Sequence, residues 1–188
     1  MYSNKLLSID WDYVTGDCSI DQPGCRHPHC GFCEYIKTSR IRGAKNKFDI
    51  VWGDEKRDKL LKLKVNKGTP IYVAECHANI MDLIKQYKCP LEVYDYDTHY
   101  DSYDEDFRVH CGNWIYHLEL LGGKVNCKPS TIDKVDAIFI CHSSPWTPRC
   151  MDEAFFEFIV KMTKKTKMEA QFIGHRQVSL RNEYKRFI

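Results

Sequence analysis

Short apolar runs alternate with amphipathic segments along most of this chain. Strands are predicted where the runs are rich in Ile, Val, Leu and aromatic residues, at 5–12, 48–52, 70–76, 91–96, 107–110, 124–127, 137–141 and 171–173. Helices are predicted where apolar residues recur at helical spacing, at 54–64, 78–87, 113–121 and 152–163. The alternation predicts an α/β fold in three layers, with a mostly parallel sheet covered by helices on both faces.

The segment 91–104, LEVYDYDTHYDSYD, starts apolar and becomes acidic. Side chains two residues apart in an extended chain project to the same face, so Asp97, His99 and Asp101 should converge where the strand ends. Two carboxylates and one imidazole are suitable ligands for a divalent cation. The alternative is a solvated acidic loop after an edge strand.

Two other predicted strands end in similar residues. Asp10 and Asp12 close the first strand, and burying both carboxylates would be costly without a positive charge between them. His77 follows the strand at 70–76, where a lone histidine is more often a helix cap than a ligand; Glu75 precedes it on the same predicted face. Because α/β proteins gather ligands at the carboxyl ends of parallel strands, one shared metal site would explain all these positions.

Residues 15–34 form a Cys-rich loop that interrupts the alternating pattern. Its metal-ligating residues are Cys18, Cys25, Cys30 and Cys33, with His27 and His29 between them. Cys30 and Cys33 form a C-x-x-C turn, which can place two thiolates on one tetrahedral zinc ion. Cys25 and Cys18 complete the predicted structural zinc site, with either histidine as a substitute. Free thiols or a redox pair are the alternatives.

Composition limits the classes of protein that fit. The chain has 188 residues, enough for a single α/β domain over 1–188 with the Cys-rich loop inserted in it. With a net charge of only +2, nucleic acid is not an expected partner, and the Lys-rich stretches are interpreted as solvated helix faces. Neither a signal peptide nor a membrane span is recognisable, so we expect a cytoplasmic protein whose ten cysteines bind metal or are buried as thiols.

Three short segments resemble the arginase/ureohydrolase superfamily. Residues 97–101, Asp-Thr-His-Tyr-Asp, are similar to its D-x-H-x-D signature, and residues 8–12, Ser-Ile-Asp-Trp-Asp, to its S-x-D-x-D signature. The order of these two motifs is permuted here. His77 resembles the histidine that ends the family's Gly-Gly-Asp-His segment. The residues at 9–13 and 111–114 look closest to a divergent branch that includes the peptide arginases.

The resemblance implies an arginase/deacetylase-like fold with a two-metal site. The six ligands would be Asp10, Asp12, His77, Asp97, His99 and Asp101. Asp97 and Asp10 would bridge the metals, for which manganese is favoured, with iron or zinc as alternatives. The implied reaction is hydrolysis of a C–N bond, such as that of a guanidino group in a small molecule or in a peptidyl arginine.

Such a reaction also needs a proton donor for the leaving amine, and histidine suits this role near neutral pH. His142, at the end of a predicted strand, and His117, within a predicted helix, are the candidates. Two other functions are open: a metal-dependent deacetylase or amidohydrolase of the same fold, and a zinc-stabilised binding module without catalysis. The sequence does not indicate the oligomeric state.

Overall fold

The structure is a computed structural model. It describes residues 4–15, 54–87, 91–103, 107–132, 134–143, 147, 151–174 and 176–188. Nearly all of the predicted zinc loop at 15–34, and the whole strand predicted at 48–52, lie outside these residues. The structural zinc site therefore stays a prediction.

Six strands of the described chain form one sheet. They are β1 Asn4–Asp10, β2 Ile71–Ala74, β3 Leu91–Tyr96, β4 Lys124–Cys127, β5 Ala137–Cys141 and β6 Ala170–Phe172. Their order in the sheet is β4-β3-β1-β5-β2-β6, and every neighbouring pair is parallel. The predicted α/β fold with a parallel sheet is thus confirmed.

This strand order creates a switch point between β1 and β3. From β1 the chain continues toward β2 on one side of the sheet, whereas from β3 it continues toward β4 on the other side. Connections that diverge in this way leave a crevice at the carboxyl ends of the two strands, where α/β proteins usually bind ligands.

Six α-helices accompany the described strands. They are α1 Trp11–Thr15, α2 Asp54–Lys62, α3 Ile80–Ile84, α4 Trp114–Leu120, α5 Asp152–Thr166 and α6 Gln177–Tyr184, and a 3-10 turn at His77–Asn79 precedes α3. Two hydrophobic cores lie on opposite faces of the sheet. Alternating strand residues separate them: Leu7 and Ile9 of β1 belong to one core, and Leu6 to the other.

Helices α1, α2, α5 and α6 contribute to the first core, and α3 and α4 to the second. Helix α5 is the longest and follows its apolar spacing closely. It begins with Asp152 and Glu153, whose charges favour a helix amino terminus, and ends before Lys167, which adopts a left-handed conformation with φ 58°. The sheet is therefore covered on both faces, as predicted.

Some local predictions differ from the structure. Residues 107–110 form no strand, and the helix α6 was not predicted because its segment has a weak apolar pattern. The first strand ends at Asp10 rather than at residue 12, since the chain turns at once into α1. None of the helices in the described ranges is long and apolar enough to span a membrane.

Truncating a core side chain of α5 should destabilise the fold. Phe158 is fully buried, and its ring centroid lies 5.4 Å from that of Trp11. We expect Phe158→Ala to lower the free energy of unfolding by about 3–5 kcal/mol, because the buried ring is lost and the cavity that remains leaves its neighbours without packing contacts. Urea unfolding followed by circular dichroism measures this. Val178→Ala is the control, since Val178 is 66% exposed and should change stability by less than about 0.5 kcal/mol.

Candidate metal centre

Polar side chains replace apolar ones along one face of β1 and β3 as the strands approach their carboxyl ends. Ser8 and Asp95 are register neighbours on the two strands, and both are buried. One step further, Asp10 and Asp97 are buried beside each other on the same face. Three carboxylates and a hydroxyl thus lie at the switch point of the sheet.

His77 reaches into this acidic face from the 3-10 turn after β2. Its Nδ1 lies 3.0 Å from Oδ2 of Asp10, 3.0 Å from Oδ2 of Asp97 and 3.5 Å from Oδ2 of Asp101. Asp10 ends β1, whereas Asp97 and Asp101 lie in the loop after β3. The three carboxylates and the imidazole nitrogen that they surround form the first group of ligand atoms.

The ring of His77 is fixed by its neighbours. It stacks on Phe139 with centroids 5.8 Å apart and lies 4.7 Å from the ring of Trp114. Trp114 also donates a hydrogen bond from Nε1 to Oδ2 of Asp101, at 3.0 Å. On the other edge of the ring, Nε2 lies 2.8 Å from the hydroxyl of Ser8. Helix α4 therefore supports two residues of the first group.

A second group of ligand atoms lies beside the first. Nδ1 of His99 is 3.0 Å from Oδ2 of Asp12, which α1 presents in its first turn. The backbone N–H of His99 donates to Oδ1 of Asp97 at 2.7 Å, and that of Thr98 donates to Oδ1 of Asp12 at 3.3 Å. Asp97 therefore directs Oδ2 toward the first group and Oδ1 toward the second.

The buried acids shift one another's pKa values. Burial, reinforced by Asp10, raises the pKa of Asp12 well above its usual value, and burial with Asp97 does the same for Asp101. Burial also raises the pKa of Asp97, but the neighbouring rings of His77 and His99 and the backbone N–H of His99 outweigh it and hold that pKa below the usual range. Positive charge is needed here if all the carboxylates are to be ionised.

The pKa values of the two histidines are raised as well, which favours their charged form. Burial lowers the pKa of His77, yet the carboxylates of Asp10 and Asp97, each 3.0 Å from Nδ1, raise it well above 6.5. Hydrogen bonds to Asp12 and Asp97 raise the pKa of His99 to about 11. Protons on these rings thus supply the positive charge when no cation does. A metal ion would replace them and bind the same atoms.

The residues fit a divalent cation. Asp10, His77 and Asp97 offer ligand atoms within 4.8 Å of one another, as do Asp12, Asp97 and His99. Nδ1 of His77 is buried without a well-directed hydrogen bond, so it offers a lone pair to an ion when unprotonated. Carboxylate oxygen and imidazole nitrogen suit manganese, iron or zinc. These buried groups could hold a metal ion.

All six residues predicted as ligands meet at this edge of the sheet. The even spacing of Asp97, His99 and Asp101 predicted convergence correctly, although β3 ends at Tyr96 and the three lie in the loop after it. Asp12 reaches the site through α1 rather than through an extended strand, because the helix starts directly after Asp10.

Ser143 belongs to the site but was not predicted. Its hydroxyl donates to Oδ2 of Asp10 at 2.6 Å and lies 3.3 Å from the thiol of Cys141. Its backbone is left-handed, with φ 48°, which is uncommon for a residue other than glycine. Register explains its place, since Cys141 on β5 is the neighbour of Asp10 on β1. Such pairing between distant segments has no local sequence signal.

His142 lies on the opposite face of the sheet from His77. Its Nε2 is 2.9 Å from Oδ1 of Asp152 and its Nδ1 is 3.4 Å from Oε2 of Glu75. The ring stacks on Phe155 of the first core, with centroids 4.4 Å apart. Glu75, predicted near His77, thus pairs with His142, because the turn after β2 carries the two side chains to opposite faces.

His117, the other predicted proton donor, lies in α4. Its ring centroid is 5.5 Å from that of Tyr116, and its Nε2 is buried with no hydrogen-bond partner in the described chain. It belongs to neither group of ligand atoms. The proton-donor roles of His117 and His142 stay predictions.

Comparison of the chain with protein-family models, with curated proteins and with solved structures gives no match. The arrangement of side chains is therefore the basis for inferring a function.

Losing the charge of His142 should destabilise the fold. Burial lowers the pKa of His142, but Asp152 and Glu75 outweigh it and raise the pKa from 6.5 to about 9. Its contribution is therefore complete below pH 6.5 and lost as the pH rises through 9. At about 1.4 kcal/mol per pKa unit, the change is about 3 kcal/mol.

Urea unfolding of the wild type and His142→Asn at several pH values measures this contribution. The stability difference between the two proteins should shrink between pH 6.5 and 9.5. A difference that stays constant over this range would show that the imidazolium contributes nothing beyond packing.

Proposed function

We propose that this chain is a metal-dependent hydrolase of C–N bonds that uses two divalent cations. The observation that carries the proposal is the position of Asp97. Its Oδ2 lies 3.0 Å from Nδ1 of His77, and its Oδ1 accepts a hydrogen bond from His99. A carboxylate that directs its two oxygens into two adjacent ligand groups has the arrangement expected of a metal bridge.

The ligands divide between two positions. His77, Asp10, Asp97 and Asp101 would hold one cation, and Asp12, Asp97 and His99 the other. This division agrees in part with the resemblance to the arginase/ureohydrolase superfamily, in which the matching motifs supply the ligands of both metals. It differs for Asp10, which the resemblance makes a bridge but which belongs only to the first group. Manganese is the proposed metal, with iron or zinc as alternatives.

Two bound cations would supply a water of lowered pKa as the nucleophile and would stabilise negative charge at the carbon under attack. The chain's own residues fix the ligands: the Ser143 hydroxyl holds Oδ2 of Asp10, and Trp114 holds Oδ2 of Asp101. The His99 side chain is 41% exposed, in contrast to the other ligands. A substrate would therefore approach from the side of His99.

The proposed substrate carries a guanidino group. Water would add to its central carbon, and cleavage of one C–N bond would release urea and a protonated amine. His142 and His117 stay the predicted proton donors, although the pairing of His142 with two acids on the far face favours a structural role for it. The resemblance to peptide arginases favours an arginine within a peptide.

A deacetylase or amidohydrolase is the second candidate. Its reaction would use the same ligands and the same water, but would release a carboxylate instead of urea. Only the identity of the product distinguishes the two candidate reactions, because no contact among the described residues selects a guanidino group over an amide.

Metal content tests the first part of the proposal. Elemental analysis of the purified protein, after dialysis with excess manganese, should give two cations that Asp97→Asn fails to retain. Asp58→Asn is the control, since Asp58 is exposed and pairs only with Arg57 among the contacts described here. Any zinc that survives in Asp97→Asn would belong to the predicted Cys-rich site. Equal metal content in the wild type and both variants would contradict the proposal.

Activity tests the second part. Manganese-loaded protein should release urea from an arginine-containing peptide and leave ornithine in it. We expect Asp12→Asn to lower the rate by at least about 100-fold, because it removes a charged ligand of one cation. Acetate from acetyl-lysine peptides, without urea from any guanidino compound, would instead favour the deacetylase. Asp58→Asn should retain the wild-type rate.

A further inference from the structure

The buried pair formed by Ser8 and Asp95 has no role among the predicted ligands. Both side chains lie one step deeper in the sheet than Asp10 and Asp97, on the same face. Neither carboxylate oxygen of Asp95 makes a well-formed hydrogen bond in the described chain. A buried carboxylate without a full set of donors is costly, so its position next to a ligand histidine requires an explanation.

Both residues lie at the Nε2 edge of the His77 ring. Oγ of Ser8 is 2.8 Å from Nε2 of His77, and Oδ1 of Asp95 is 3.7 Å from the same nitrogen. The Nδ1 edge of the ring faces the predicted ligand carboxylates of Asp10 and Asp97. With Trp114 and Phe139 against its faces, the ring has no freedom left except the placement of its proton.

Oxygen atoms on the Nε2 edge bear on that placement. A neutral imidazole carries one proton, so a metal ion bound at Nδ1 requires that proton to lie on Nε2. The oxygens nearest to Nε2 are the hydroxyl of Ser8 and Oδ1 of Asp95, and both can accept a hydrogen bond from Nε2–H. The Nε2 edge therefore favours the tautomer that leaves Nδ1 unprotonated.

We infer that Asp95 and Ser8 are positioning residues, which keep the proton of His77 on Nε2 and so present the lone pair of Nδ1 to a metal ion. This inference rests on the proposed function. Histidines that bind metals commonly donate their second N–H to a polar partner, and losing that partner typically weakens metal binding 10- to 100-fold.

The test measures zinc and manganese affinity by competition with a chromophoric chelator. We expect Ser8→Ala and Asp95→Asn each to raise the dissociation constant of the more tightly held ion by about 10- to 100-fold. Glu75→Gln is the matched control. Glu75 is similarly buried and only two residues from His77, but its carboxylate pairs with His142 on the other face. It should bind within about threefold of the wild type.

A second readout follows the proton itself. Nitrogen-15 NMR of zinc-loaded wild type should show His77 bound through Nδ1, with a slowly exchanging proton on Nε2. In Ser8→Ala, which removes a single oxygen, that proton should exchange faster.

Three results would overturn the inference. The first is zinc bound through Nε2 of His77. The second is equal metal affinity in the wild type, Ser8→Ala and Asp95→Asn, which would leave the proposed function intact. The third is an equal loss in Glu75→Gln, since this would indicate general destabilisation. A wild type that binds no divalent cation would overturn the proposed function together with this inference.

Discussion

The concentration of carboxylates at one edge of the sheet is the constraint on which the rest of the site depends. Asp10, Asp12, Asp97 and Asp101 are all buried there, and buried acids at this spacing cannot all be ionised without positive charge among them. Two histidines enter the cluster from different segments, and the acids around them raise their pKa values, so that protonated rings can supply this charge. The same buried groups could hold a metal ion, which would have to displace these protons.

The fold brings these residues together through its topology. Because β1 lies between β3 and β5, its carboxyl end is flanked by the loop that carries Asp97 and by the loop that carries Ser143. A separate group of side chains lies at the same end of the sheet but on its opposite face. There His142 lies between the carboxylates of Glu75 and Asp152, against the aromatic residues of the first core. One set of strands therefore supports a polar centre on one face and a charged structural contact on the other.

The sequence was sufficient to predict the parallel α/β fold and the meeting of six ligand-type residues, since both follow from local periodicity and from the behaviour of strand ends. It was not sufficient for Ser143 or Trp114, whose contacts with Asp10 and Asp101 depend on register and helix docking between distant segments. The face occupied by His142 was also hidden: its strand was predicted with the correct bounds, but the sequence does not indicate which face of β5 aligns with Asp10 on β1. Asp95 belonged to the same alternating series as Asp97, yet its depth beneath His77 became apparent only in three dimensions.

The proposed function requires two cations that share Asp97. Crystals grown with manganese, with diffraction measured on both sides of the manganese absorption edge, would locate the ions directly through their anomalous scattering. We expect two peaks flanking the Asp97 carboxylate, from one ion bound by Nδ1 of His77 and another bound by Nδ1 of His99. Crystals grown with manganese at neutral pH that show no anomalous peak beside Asp97 would contradict the proposed function.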